Sequence, residues 1–136
     1  IPEREHDVDM TMQATRLFKL VSELESFGPA TRVDCDDTHI MFSSREGPIS
    51  MHAHIDVAEL EDYALPEEGV TETFAATYLV MAAAFAKLSK YAYVSKTVTV
   101  HFTAMQPAEF LFILGEGVDA PRVRAIVAPK IANDDE

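Results

Sequence analysis

One cysteine, Cys35, stands among the 136 residues of this chain, which rules out an internal disulfide framework and fits a reducing compartment. No apolar run approaches the ~20 residues that cross a bilayer as a helix, and no charged-then-apolar leader opens the sequence. A glycine-rich phosphate loop, a G-x-S-x-G elbow and zinc-finger spacings are all missing. Phosphoryl transfer, serine hydrolysis and structural zinc therefore have no motif to rest on. Basic residues are few: 11 Lys and Arg face 23 Asp and Glu, a formal net charge of −12. A balance of that sign argues against nucleic acid as a ligand of the whole surface, because phosphates need local positive charge. Acid is itself missing from one region. The 36 residues from Thr73 to Ala108 hold no Asp or Glu, and Lys87, Lys90 and Lys96 stand there unopposed. The acid concentrates at the amino end, in "DCDD", in "DVAELEDYALPEE" and after Ile131.

What is present reads as one domain. Hydrophobic residues at 48% and charged residues at 25% exclude a disordered or fibrous chain. Ile1 in place of methionine, followed by Pro2, suggests a fragment of a longer protein. "EHDVDMTM" alternates with the period of a strand wet on one face. In "TRLFKLVSELESFGP", Leu17, Leu20, Val21 and Leu24 follow helical spacing, and Gly28-Pro29 supplies a stop. "TRVDCD" and "HIMFSS" read as strands joined by a turn at Asp36-Asp37-Thr38, and "GPISMHAHIDV" alternates again. "ELEDYALPEEG" reads as an acidic loop. A second helix is expected from near Thr73 through "FAATYLVMAAAFAKLSK", with Phe74, Tyr78, Met81, Ala82, Phe85 and Leu88 on one face and Ala76, Val80, Ala83, Lys87 and Lys90 on the other. "YVSKTVTVHF", "EFLFIL" and "RVRAIVA" give three more strands. The order is α+β with mostly antiparallel sheet, and a strand-helix-strands unit occurs twice.

Catalysis finds no support in these residues. His52, His54 and Asp56 form an H-x-H-x-D series on one side of a strand, which could hold a metal, but with no other His or Cys cluster in the sequence a solvated strand face is the better reading. Cys35 has no histidine partner at a known spacing and reads as a small buried residue. Asp36-Asp37 and Glu67-Glu68 fall in turns. Binding surfaces are better supported. Arg16 and Lys19 lie one turn apart on the first helix, as do Lys87 and Lys90 on the second, whose alanine-rich, acid-free face lacks the charge mixing that solubility favours. Along "RVRAIV", Val123, Ala125 and Val127 should face inward, leaving Ile126 outward just before Ala128-Pro129, where the proline cannot donate a hydrogen bond. That combination suggests a groove for a partner.

"IPEREH", "FAATYL", "KTVTV" and above all "APKI" followed by acid resemble the carboxyl-terminal half of the proliferating cell nuclear antigen (PCNA) family of eukaryotic DNA sliding clamps. The likeness runs over the whole chain with few gaps. It implies a sliding-clamp domain, two helices packed on antiparallel sheets: residues 1–4 would end an interdomain connector, residues 5–131 form the carboxyl-terminal clamp domain, and residues 132–136 an acidic tail. It also implies a non-enzymatic processivity factor of the nucleus that needs no cofactor. In full-length form such a clamp would be a homotrimer encircling duplex DNA, docking DNA polymerase, nuclease, ligase and clamp loader through a short motif. Carried over residue by residue, Arg16, Lys19, Lys87 and Lys90 would face DNA. Ile1, Pro2, Pro107, Ile126, Ala128, Pro129 and Ile131 would line the partner groove, and Leu24, Phe27, Ser50, His52 and His54 would lie at the subunit edge. Ser22 and Thr77 stand where the family usually has arginine, and Asp36-Asp37 occupies the turn where the family carries a modifiable lysine. The alternative is a checkpoint-clamp-like subunit or an acidic protein-binding domain of the same fold, and more remotely a metal-dependent enzyme built on His52, His54 and Asp56.

Overall fold

A computed structural model of the chain describes residues 8–64, 69–90, 96–102, 106–113, 115 and 120–130, with backbone alone at 88–90 and 102. Alternation builds the first strand, β1 (Val8–Gln13), whose Val8, Met10 and Met12 are buried. The period then changes from two to 3.6. In α1 (Ala14–Glu25), Ala14, Leu17, Val21 and Leu24 point into the core. The helix closes where the N–H groups of Phe27 and Gly28 donate to the Leu24 carbonyl at 3.0 and 3.1 Å. Gly28 is needed for space: a Cβ there would sit 2.5 Å from Ser44 Oγ and 2.9 Å from the Arg45 carbonyl oxygen. The chain then runs through β2 (Ala30–Cys35), β3 (His39–Glu46) and β4 (Ile49–Asp56). Asp36 shapes the β2–β3 turn, its Oδ1 accepting from the N–H groups of Thr38 and His39, each at 2.8 Å.

A short β5 (Asp62–Ala64) comes next, then β6 (Val70–Ala75) and α2 (Ala76–Ala83), which tightens into a 3₁₀ helix over Ala84–Lys90. Three more strands follow among the described residues: β7 (Thr97–Phe102), β8 (Ala108–Ile113) and β9 (Arg122–Val127). Two antiparallel sheets result, ordered β5-β1-β7-β8-β9 and β4-β3-β2-β6. The strand-helix-strands unit does occur twice, and each copy straddles both sheets. β1 leads its helix out of the larger sheet into β2, β3 and β4 of the smaller one, whereas β6 leads α2 from the smaller sheet back to β7, β8 and β9. This exchange locks the sheets around one core, in which Phe74, Phe112, Met10, Leu17, Ile40 and Ile55 are all fully buried.

The structure corrects three expectations. β6 runs to Ala75, because Thr73 and Phe74 are registered against Arg32 and Thr31 of β2. The helix therefore begins at Ala76, whose N–H donates to the Pro29 carbonyl at 2.9 Å. Phe74, Tyr78 and Met81 have helical spacing but belong to two different elements. Second, the buried face of α2 is only partly the expected one: Ala82 is inward as read, but Ala76 and Ala83 join it and Tyr78 and Met81 leave it. Ala76, Leu79, Ala82 and Ala83 are buried, while Tyr78 and Met81 are 58% and 63% exposed. α2 packs against α1, and its small side chains Ala76, Ala82 and Ala83 are buried rather than meeting solvent. Third, the acidic segment contains β5, paired with β1 from Asp9↔Ala64 to Thr11↔Asp62. The Tyr63 hydroxyl anchors it by donating to the Asp36 carbonyl at 2.8 Å.

Candidate functional site

An apolar cleft of about 640 Å³ opens between α2 and the end of β9. β9 is the outermost strand of its sheet, and its outward residue Ile126 is 62% exposed while Val127 is buried. Ile126, Ala128 and Pro129 form one wall, Tyr78 and Met81 the other, over a floor that includes Ala75 and Ala82. The stretch after β9 is held in place by the Lys130 N–H, which donates to the Thr73 carbonyl at 2.8 Å. Three large apolar side chains facing solvent across one concavity form a contiguous apolar surface rather than scattered exposure. The outward Ile126 was legible from strand alternation. Tyr78 and Met81 escape sequence reasoning because their helical spacing with the buried Phe74 points to a shared core face. Pro107 is exposed but outside the lining; it precedes Ala108, the partner of Val127, and so stands beside Ala128 at the same end of the sheet. Ile1, Pro2 and Ile131 lie outside the described residues.

A second surface runs over the helices. Thr77 Oγ1 donates to Glu25 Oε2 at 3.2 Å, and Lys87 Nζ sits 5.3 Å from the centre of the Phe18 ring, so α1 and α2 lie antiparallel. Lys19 and Lys87 are exposed there. Arg16 is ion-paired with Glu59, both side chains more than two-fifths exposed. Exposed pairs of this kind are worth ~1 kcal/mol or less, so Arg16 can be recruited elsewhere at small cost. Counting Glu23, Glu25 and Glu59 against Arg16, Lys19 and Lys87, the described helix surface mixes charge evenly. The unopposed basic face read from the acid-free stretch is thus tempered by acids from α1 and the β4–β5 connection. The side chain of Lys90 is outside the described residues.

The third surface is β4, outermost in the smaller sheet. Ser50, His52 and His54 are exposed along it, as are Ile49 at 60% and Met51 at 42%. Phe27, two residues past the end of α1, is half-buried, and Leu24 is only 2% exposed. Leu24 therefore packs inside this domain and is not available at an edge. Among the described residues no three His, Cys, Asp or Glu side chains converge on a common point, so His52, His54 and Asp56 share a face without converging as a three-ligand set. Burial pushes the Cys35 thiol from an ordinary 9.0 up to about 12, leaving it protonated and inert at neutral pH. Backbone N–H groups of His39 and Thr38 hold the Asp36 carboxyl below its usual range.

With this geometry in view, the family description "Proliferating cell nuclear antigen, C-terminal domain" matches residues 1–129. The crystal structure of proliferating cellular nuclear antigen from Entamoeba histolytica superposes with a TM-score of 0.75 at 17% identity, over 96% of this chain and 49% of that one. A. fulgidus PCNA, solved with the C-terminal region of FEN-1 bound, superposes with a TM-score of 0.74 at 22% identity, again over 96% and 49%. Both show the same fold. The chain spans about half the length of each. No curated protein matches it in sequence.

Proposed function

Because the chain belongs to the proliferating cell nuclear antigen C-terminal domain family, it is a sliding-clamp domain, and we propose that it works as half of a two-domain protomer, three of which close around duplex DNA. In this reading the full-length protein is a nuclear processivity factor for replication and repair that catalyses nothing itself. Ring closure uses the exposed edge of β4, where unpaired backbone and the apolar Ile49 and Met51 favour another strand. DNA contact uses Lys19, Lys87 and a recruited Arg16, which reach phosphates without reading bases.

The observation that carries the proposal is the apolar cleft in which Ile126, Ala128 and Pro129 face Tyr78 and Met81. Since A. fulgidus PCNA has been solved with the C-terminal region of FEN-1 bound, a peptide of that kind is the probe of choice. Titrated into the full-length protein, it should lose roughly 1–2 kcal/mol of affinity on Ile126→Ala or Pro129→Ala, as apolar anchors in a cleft do. Arg122→Ala, at the far end of β9, should leave binding unchanged. Undiminished affinity in both cleft variants would place docking elsewhere.

A further inference from the structure

Two imidazoles meet on the outer face of the smaller sheet. His39 of β3 is registered against Asp56 and His54 of β4 against Met41, so the two histidines are diagonal neighbours across the strand pair. Their ring centres lie 5.1 Å apart with planes tilted by 50°. We propose that His39 and His54 form a two-imidazole chelate for a late first-row divalent cation of the Cu²⁺, Ni²⁺ or Zn²⁺ class, with water completing its coordination.

Proton accounting identifies the ligand atom on His39. Thr38 Oγ1 lies 3.0 Å from Asp36 Oδ1, a carboxylate oxygen that only accepts, so the hydroxyl proton is committed to it. The same hydroxyl lies 3.0 Å from His39 Nδ1, where it can now only accept. Nδ1 therefore carries the imidazole proton, and the free lone pair is on Nε2 at the opposite edge of the ring. Asp36 is in turn fixed by two backbone N–H groups at 2.8 Å. A carboxylate acting through a hydroxyl on the remote nitrogen sets tautomer and ring orientation, the arrangement that supports metal-binding histidines.

The spacing also suits a shared ion. A cation about 2.1 Å from one nitrogen of each ring lies roughly 3.2 Å from each ring centre. Centres 5.1 Å apart then subtend about 105°, close to the tetrahedral angle. His54 is exposed and His39 partly so, leaving an open approach. Asp56 opposite His39, and Asp36 in the adjoining turn, add negative charge that favours a cation. His52 lies on the same strand but has its Nε2 3.2 Å from Ser50 Oγ, which makes it the natural control.

The test is Cu²⁺ titrated into the 136-residue chain at neutral pH in a buffer that does not coordinate metal, followed by calorimetry and electron paramagnetic resonance. Cu²⁺ is chosen because it binds imidazole sites most strongly of the series. One saturable equivalent is expected, with hyperfine splitting from two nitrogens. His39→Gln and His54→Gln should each weaken it at least tenfold, His52→Gln less than twofold, and Thr38→Val severalfold through the lost tautomer control. In the unmodified chain, paramagnetic broadening should strike the ring protons of His39 and His54 first, a readout that needs no variant to fold. Equal loss from His52→Gln and His54→Gln, or no loss from His39→Gln, overturns the cross-strand chelate, as does an absence of saturable binding.

Discussion

Replacing Ala83 by leucine separates the two possible orientations of α2. Ala83 is 1% exposed and faces inward from a helix that packs against α1, so three added carbons must push the helices apart or strain their own rotamer. Insertions of this kind into a filled core cost about 1–3 kcal/mol. The change in helix propensity from alanine to leucine is ~0.2 kcal/mol and does not alter that range. In a domain of this size each kilocalorie corresponds to roughly 4 °C, so Ala83→Leu should lower the thermal midpoint by about 4–12 °C. Met81 is the matched control. At 63% exposure its conversion to lysine should stay within about 0.5 kcal/mol, an effect close to the scatter of the midpoint. Parallel melts of the three proteins, followed by far-ultraviolet circular dichroism, make the comparison directly. A damaging Met81→Lys beside a silent Ala83→Leu refutes the packing described above and restores the face assignment that helical periodicity alone suggested.

Other consequences can be measured with equal economy. Cys35, with its thiol pushed from 9.0 to about 12, should hold about a thousandfold less thiolate at neutral pH than an ordinary cysteine. Alkylation should accordingly be slow in the native protein and rapid in guanidinium; fast native labelling would show that β2 opens readily. Asp36, whose carboxyl is held below its usual range by the His39 and Thr38 N–H groups, binds its proton less readily folded than unfolded. Its contribution is therefore full above the ordinary carboxylate range and is lost as pH falls below it. Urea midpoints of Asp36→Ala and the parent should differ near pH 6 and converge toward about pH 3; a gap that persists in acid would mean that the charge is irrelevant to the turn. In the full-length clamp, Lys19→Ala with Lys87→Ala should shorten retention on DNA and flatten its dependence on salt, without changing assembly. An unaltered salt slope would remove both lysines from the DNA-facing surface.

Much of this molecule was readable from side-chain periodicity. Val8, Met10 and Met12 announce β1, Leu17, Val21 and Leu24 announce the buried face of α1, and Gly28-Pro29 announces its end, because each signal lies within a few residues of the element it specifies. The outward Ile126 before Ala128-Pro129 was legible for the same reason: alternation along β9 is a local property. The β2–β3 turn followed from Asp36, whose side chain bonds backbone only two and three residues away.

Tertiary structure decided the rest, where the determining partner is distant in sequence. Thr73 and Phe74 extend as strand because β2 pairs with them, and only that pairing moves the start of α2 to Ala76 and turns Tyr78 and Met81 outward. Tyr63 holds three residues of acidic chain against β1 through a carbonyl 27 residues earlier. Arg16 meets Glu59 across the fold, which tempers a charge pattern that looked one-sided along the chain. The cleft exists only where β9 and α2 come together. Periodicity states that a segment has two faces. Which face is buried depends on the free energy of packing against a surface supplied by another part of the chain, and that surface does not exist until the sheets have formed.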